Sequence, residues 1–389
     1  MKKISKAIGV ALCLALVCAT LSACGGASGA GAGSGDKVFK IGCSGPTTGG
    51  AALYGTAVVR GAEIAVDEIN AAGGIAGYKI EYKYEDDQHD AEKAVNAYNS
   101  LKDWGMQVFV GTTTTTPCIA VADVTAQDGM FQITPSASSE EVIENPNVFQ
   151  VCFTDPNQGR ASAQYISENS LGTKIGIIYD SSDVYSSGIH DTFVEEAGKR
   201  GLEIVSDEAF TADSKTDFST QLQKAQSAGA DLMFLPFYYT EASIVLNQAN
   251  SMGFAPVFFG VDGMDGILSV ENFDTSLAEG VYLLTPFAAD AQDDMTQKFV
   301  KAYDEKFHEV PIQFAADAYD GVYTVKAAIE KAGVTPDMSV EEIGKKMIEV
   351  MPQISVDGLT GKGMTWDASG AVSKEPRAVV IKDGAYVTP

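Results

Sequence analysis

Positive charge, histidine and clustered cysteine are what this sequence lacks. Lysine and arginine number 27 against 52 acidic residues, a formal charge of −25, which excludes the basic surface that nucleic-acid binding requires. The three histidines, His89, His190 and His308, lie far apart, each in a polar segment expected to be exposed, and none has metal-ligand spacing. Of the six cysteines, Cys13 and Cys18 fall in an N-terminal apolar stretch and Cys24 directly follows it. The other three, Cys43, Cys118 and Cys152, contain no C-x-x-C pair; they exclude a zinc framework and allow at most one internal disulfide. There is no G-x-S-x-G elbow and no H-E-x-x-H, and Gly358 to Gly363 lacks the G-K-[ST] ending of a phosphate loop. No base stands near a serine. A non-enzymatic protein without metal or cofactor is expected.

The N-terminus is informative. Met1-Lys2-Lys3-Ile4-Ser5-Lys6 followed by the apolar stretch Ala7 to Ala19 has the charged and apolar regions of a bacterial export signal. That stretch is shorter than the roughly 20 residues a spanning helix needs. Its end, Leu21-Ser22-Ala23-Cys24, resembles the lipobox of bacterial lipoproteins, which implies a signal peptide over 1–23 and acyl chains on Cys24. Removing 1–23 takes away three lysines and no acid, moving the charge to −28. The Gly/Ala/Ser-rich run Gly25 to Gly35 buries nothing and reads as part of a flexible tether over 24–37. Its glycines neither follow a strand nor open a helix, so they form no dinucleotide fingerprint. An exported, lipid-anchored protein on the outer face of the cell membrane or in the periplasm is expected.

From Val38 onward, strand-length apolar runs alternate with amphipathic segments. Val38–Ile41 reads as a strand. Ala57 to Ala72 carries Ala62, Ala65, Val66 and Ile69 at helical spacing and stops at Gly73-Gly74. The series repeats through a strand at Val148–Phe153, restarts with a helix at Gln158–Glu168, and runs to a strand at Pro256–Phe259. Two consecutive βαβ series predict an α/β fold of two doubly wound parallel-sheet lobes. Helices at Met295–Phe307 and Ala315–Ala332 have no partners in the second series, so the chain is expected to return to the first. The predicted division is 38–154 with 287–356 as the N-terminal lobe and 155–286 with 357–389 as the C-terminal lobe, joined by a hinge.

Five consecutive threonines, Thr112 to Thr116, follow the strand Val108–Val110 and precede Pro117. With Pro117 at the first helical position, Thr116 is the expected N-cap. Thr113, Thr114 and Thr115 then lie at the carboxyl edge of the sheet, where open α/β sheets bind ligands, beside a positive helix end that suits a carboxylate.

Nearly the whole mature chain resembles the extracellular solute receptors of ABC importers, in the branched-chain amino-acid-binding branch of the type I periplasmic fold. The resemblance rests on the order and spacing of IGCSGPTTGGAALYG, RGAEIAVDEINAAGGIAGYKIE, VGTTTTTPCIAVADV, ITPSAS, VYSSG, FFGVDG and AYDGVYTVKAAIEKAG. It implies that Thr115 and Ser138 hold an amino acid's carboxylate, with the main chain at Ser136 facing the ligand, and that Asp262 holds the ammonium. It also implies that Tyr54, Tyr185 and Tyr238 line the pocket. Each has a plainer rival: Ser138 and Glu141 form an S-x-x-E capping box, Asp262-Gly263 an ordinary turn, and one of Tyr238 and Tyr239 belongs to the core. Asp86-Asp87 reads as a solvated turn. Thr115 stands where serine is commoner in the family and Asp262 where many relatives have glutamate, and the threonine run is more polar than an aliphatic ligand needs. The implied ligand is an apolar or aromatic L-amino acid, delivered to a membrane permease by a monomeric receptor. The alternative ligand is a small amide, urea or aromatic carboxylate. A sensor ectodomain of this fold would need a membrane helix after it, which the sequence to Pro389 does not carry.

Overall fold

The structure is a computed structural model that describes residues 37–389. The signal peptide, Cys24 and nearly all of the tether lie outside the described residues. In chain order the first series is β1 (Val38–Gly45), α1 (Ala52–Ala71), β2 (Lys79–Asp86), α2 (Ala91–Asp103), β3 (Val108–Val110), α3 (Thr115–Gln127), β4 (Gln132–Thr134) and β5 (Val148–Gln150). The second is α4 (Asp155–Glu168), β6 (Lys174–Asp180), α5 (Val184–Arg200), β7 (Glu203–Phe210), α6 (Ser219–Ala228), β8 (Leu232–Leu235), α7 (Tyr239–Ser251), β9 (Val257–Gly260) and β10 (Tyr282–Thr285). The chain ends with α8 (Asp294–Phe307), α9 (Gln313–Ala332), α10 (Val340–Val350), β11 (Arg377–Lys382) and β12 (Ala385–Val387).

The expected α/β architecture is present as two sheets. One has five parallel strands in the order β2-β1-β3-β4-β5. The other has seven in the order β12-β11-β10-β9-β8-β6-β7, parallel as far as β10 and finished by antiparallel β11 and β12. The central strands are buried on both faces, as parallel sheets covered by helices must be. The chain passes between the sheets three times: after β5, after β10 and before β11.

Helix α9 packs along α1 and over β3 and β4. The two helices touch at Gly61, where an added Cβ would stand 1.9 Å from the Ala315 carbonyl oxygen. Two buried acids on α9 then fix the last crossing. Asp317 pairs with Lys374 Nζ at 2.7 Å, and Asp320 accepts from Leu359 N, Thr360 N and Thr360 Oγ1 at 2.8, 2.9 and 2.6 Å. Trp366 Nε1 donates to the Gln150 carbonyl on β5 at 2.7 Å. Residues 357–374, expected with the second lobe, are therefore bonded to α9 and β5, and the second sheet is joined only from Arg377. Buried carboxylates need partners, and this segment supplies them.

Further expectations are corrected. Helix α3 begins at Thr115 with Thr114 as its extended N-cap, not Thr116, which is exposed; Pro117 is still within the first turn, where its missing N–H costs nothing. His190 is buried, not exposed: its ring bonds Asp191 and Asp207 at 2.8 and 3.0 Å and stacks on Tyr179. The pair Asp86-Asp87 is no solvated turn. Asp86 accepts from Thr47 N and Thr48 Oγ1, while Asp87 is fully buried, its carboxyl pushed up to about 7 by that burial. Cys43, Cys118 and Cys152 are buried free thiols.

Candidate ligand-binding site

The carboxyl ends of the two sheets face each other, and seven sequence-predicted residues meet there. Tyr54, Thr113, Thr115, Ser136, Tyr185, Tyr238 and Asp262 line one small cavity of about 10 Å³, together with Thr114, Gly263 and Phe314. That is room for about one water. Ser138 stands directly behind: its N–H donates to Thr115 Oγ1 at 3.3 Å.

The first wall comes from the β3–α3 and β4–β5 connections. Thr134 Oγ1 donates to the Thr112 carbonyl at 2.6 Å and Ser136 Oγ to the Thr113 carbonyl at 2.6 Å, so the serine loop is laced to the threonine loop. Thr114 Oγ1 is bonded to His89 Nδ1 at 2.9 Å. The Ser138 hydroxyl does not cap a helix. The neighbouring Ser139 takes that task, accepting from Glu141 N, and Ser138 Oγ is buried with no hydrogen-bond partner. This wall is neutral, rich in hydroxyls, and ends at the N-terminus of α3, a surface suited to an anionic oxygen pair.

The second wall carries the charge. Asp262, 3% exposed, follows β9 and accepts from Tyr185 OH at 2.5 Å; its N–H donates to Gln158 Oε1 at 3.1 Å. Burial raises its carboxyl to about 6, against the hydrogen bonds from Tyr185 and Gln158 that favour the anion. Gly263 N donates to Tyr185 OH at 2.9 Å, and a Cβ on Gly263 would lie 2.6 Å from that oxygen, so the tyrosine approaches only because this residue is glycine. Tyr185 and Tyr238 stack at 5.0 Å. Tyr239 is the core member of its pair, 5% exposed and accepting from Leu53 N.

Bonds cross the cleft. Tyr54 OH donates to the Gly263 carbonyl and accepts from Tyr239 N at 3.2 Å, and Thr240 Oγ1 donates to the Gly50 carbonyl at 2.8 Å. Gln313, at the start of α9, donates through Nε2 to the Asp262 carbonyl at 2.9 Å. Neither Phe314 nor Gln158 was expected in the site: Gln158 lies in the first turn of α4, just after a chain crossing, and Phe314 at the start of α9, which follows α8. Among the described residues no three His, Cys, Asp or Glu side chains are placed to hold a metal, and no helix is long and apolar enough to cross a membrane.

A family model described as periplasmic binding protein matches residues 38–385. The Leu/Ile/Val-binding protein homolog 3 of Brucella melitensis is 32% identical over 301 residues, 76% of this chain and 80% of that one. The branched-chain amino acid transporter substrate-binding protein LivJ of Streptococcus pneumoniae, solved with isoleucine, superposes with a TM-score of 0.82 at 30% identity, over 91% of this chain and 100% of that chain. An ABC-transporter solute-binding protein from R. palustris, solved with benzoate, shares the fold with a TM-score of 0.78 at 20% identity, over 90% and 95% of the two chains.

Proposed function

The chain belongs to the periplasmic binding protein family, and from that premise we propose that it is the substrate-binding receptor of an ABC importer, taking one small L-amino acid between its lobes. The observation that carries this reading is the opposition of the two walls. Thr115, Ser136 and Ser138 beside the α3 N-terminus suit a carboxylate, and Asp262 across the cavity suits an ammonium. The lobes are the two sheets with their covering helices, α8 to α10 and residues 357–374 going with the first. Ligand entry requires them to part, since the cavity holds about one water and the bonds from Tyr54 and Thr240 span the cleft. Relatives that hold leucine, isoleucine or valine by name support an aliphatic ligand; the rings of Tyr54, Tyr185, Tyr238 and Phe314 accommodate either an aliphatic or an aromatic side chain. The receptor acts as a monomer, anchored by lipid at Cys24, and presents its closed form to a membrane permease.

The test is a thermal-unfolding screen of purified protein with all the common L-amino acids and with small carboxylates, amides and urea. Ligand at a hundredfold excess over Kd adds about 2.7 kcal/mol of stability, several degrees at this size. Stabilisation by a few apolar L-amino acids is expected. A response only to benzoate-like acids or amides overturns the amino-acid reading. For the anchor, Cys24→Ala should release the protein from membranes, because stable attachment takes two or more acyl chains; retention in high salt contradicts it.

A further inference from the structure

A second cavity lies at the hinge and shares no lining residue with the cleft cavity. It measures about 220 Å³, against about 10 Å³ in the cleft, and is walled by the crossings that follow β10 and precede β11. Thr285 to Ala288 and Ala291 carry the chain out of the second sheet towards α8. Gly358 to Lys362 belong to the segment bonded to α9, and Arg377 to Val379 open β11. The wall is therefore made by both lobes.

Most polar groups of this wall are already engaged. Asp293 caps α8, accepting from Thr296 N and Thr296 Oγ1 at 3.1 and 2.7 Å. Thr285 Oγ1 donates to the Phe287 carbonyl at 3.0 Å and accepts from Phe287 N at 3.2 Å, and Thr360 Oγ1 donates to Asp320 Oδ2 at 2.6 Å. Two cations are not engaged. Lys374, on the same crossing, is buried and paired with Asp317, whereas Lys362 and Arg377 line the cavity, are exposed and, among the described residues, have neither a carboxylate nor a hydrogen-bond acceptor for their side chains. Asp293 is the one acid lining the cavity, and the Thr296 bonds, with a smaller contribution from Lys362, hold its carboxyl below the ordinary range. Its oxygens are thus occupied by the helix end. In a chain of 52 acidic and 27 basic residues, two unpaired cations from opposite lobes on one cavity repel each other, and an anion between them removes that repulsion.

We propose that the hinge cavity binds a small oxyanion of the phosphate or sulfate type, held between Lys362 and Arg377, and that this anion stabilises the closed arrangement of the lobes. Its walls meet only when the lobes are placed as they are here, with the cleft bridged by Tyr54 and Thr240. An anion bound across them favours that placement. By linkage, the oxyanion and the cleft ligand tighten each other's binding by the same factor. The anion site stands on its own observations; the coupling rests on the receptor reading above.

The experiment follows thermal unfolding of the purified protein in sodium phosphate, sodium sulfate and, at matched ionic strength, sodium chloride, for wild type, Lys362→Gln, Arg377→Gln and Arg377→Lys. At about a hundredfold excess over Kd, phosphate or sulfate should raise the wild-type midpoint by several degrees beyond chloride. Each glutamine variant should bind the oxyanion about tenfold or more weakly, the loss expected for one charge-assisted hydrogen bond. Arg377→Lys, which keeps the charge, should lie between, and it keeps the test decisive if a glutamine variant fails to fold. No shift beyond chloride, or an equal shift in every variant, overturns the site. Calorimetric titration with L-leucine then reads the coupling: phosphate should tighten leucine binding about fivefold in wild type and leave the glutamine variants unchanged. Equal leucine affinity with and without phosphate in wild type overturns the effect on closure. If no amino acid binds while phosphate still stabilises wild type and not the glutamine variants, the functional reading fails and the anion site stands.

Discussion

The two walls of the cleft are made by the same kind of strand-to-helix connection, yet they differ in charge. At the end of β3 and β4 the connections offer threonine and serine hydroxyls, backbone N–H groups and a helix N-terminus. At the end of β9 and the start of α4 and α5 they offer carboxyls, Asp262, Asp155 and Asp183, among tyrosines. One wall is a donor surface that needs an anion. The other is an acidic surface that needs a cation. Topology thus supplies the place twice and the side chains give it a direction; on the proposed amino-acid reading, a zwitterion has one favourable orientation.

The largest expected effect comes from neutralising the acidic wall. Asp262→Asn keeps shape and one acceptor but removes the charge, losing a charge-assisted hydrogen bond in the class contributing about 1.5 to 3 kcal/mol. Affinity for the amino acid found in the thermal screen should fall roughly tenfold to a hundredfold, read by calorimetry; wild-type affinity would make Asp262 a mere turn residue.

Next comes pH. The folded carboxyl of Asp262 lies at about 6, above its unfolded value, so the stability it contributes is fully present below about pH 4 and lost as pH climbs to about 6. Two pKa units correspond to about 3 kcal/mol, an upper figure. Denaturation of ligand-free protein should show wild type losing stability relative to Asp262→Asn across that window. A constant difference between the two curves would contradict it.

The neutral wall should be softer. Thr115→Val keeps the branched shape and deletes the hydroxyl that accepts the Ser138 N–H, a loss of about 1 kcal/mol for a neutral hydrogen bond. Leucine affinity should drop about fivefold, with the pH dependence of binding unchanged. A shift in that pH dependence would mean that the two walls are not separable. Tyr238→Phe is the mildest: the stack on Tyr185 survives, and affinity should change by less than about threefold.

The same contrast explains what sequence could and could not reveal. The alternation of periods placed Thr113 and Thr115 at a sheet edge, whereas Ser136, Asp262, Tyr54, Tyr185 and Tyr238 came from the resemblance to the receptor family, each being a residue that follows a strand or opens a helix. Gln158 and Asp155 follow a chain crossing and Phe314 opens a helix of the returning segment, and where such helices land depends on how the two sheets pack, which no local pattern encodes. The transfer of 357–374 to α9 is of that kind, decided by the buried acids Asp317 and Asp320. Other omissions carried legible signals. Asp383-Gly384, both at positive φ, is the tight turn between β11 and β12, and Ser339-x-x-Glu342 is a capping box that starts α10. The burial of His190 and Asp87 had none, since each depends on distant groups.

The central claim, that both walls act on one zwitterion, is tested most directly by calorimetric titration of the wild-type protein with L-leucine, 4-methylpentanoate and 3-methylbutylamine, the last two lacking the amino and carboxyl groups in turn. Leucine should bind at least about tenfold more tightly than either half-ligand, each of which leaves one wall unpaired. Binding of 4-methylpentanoate as tight as that of leucine would contradict the account.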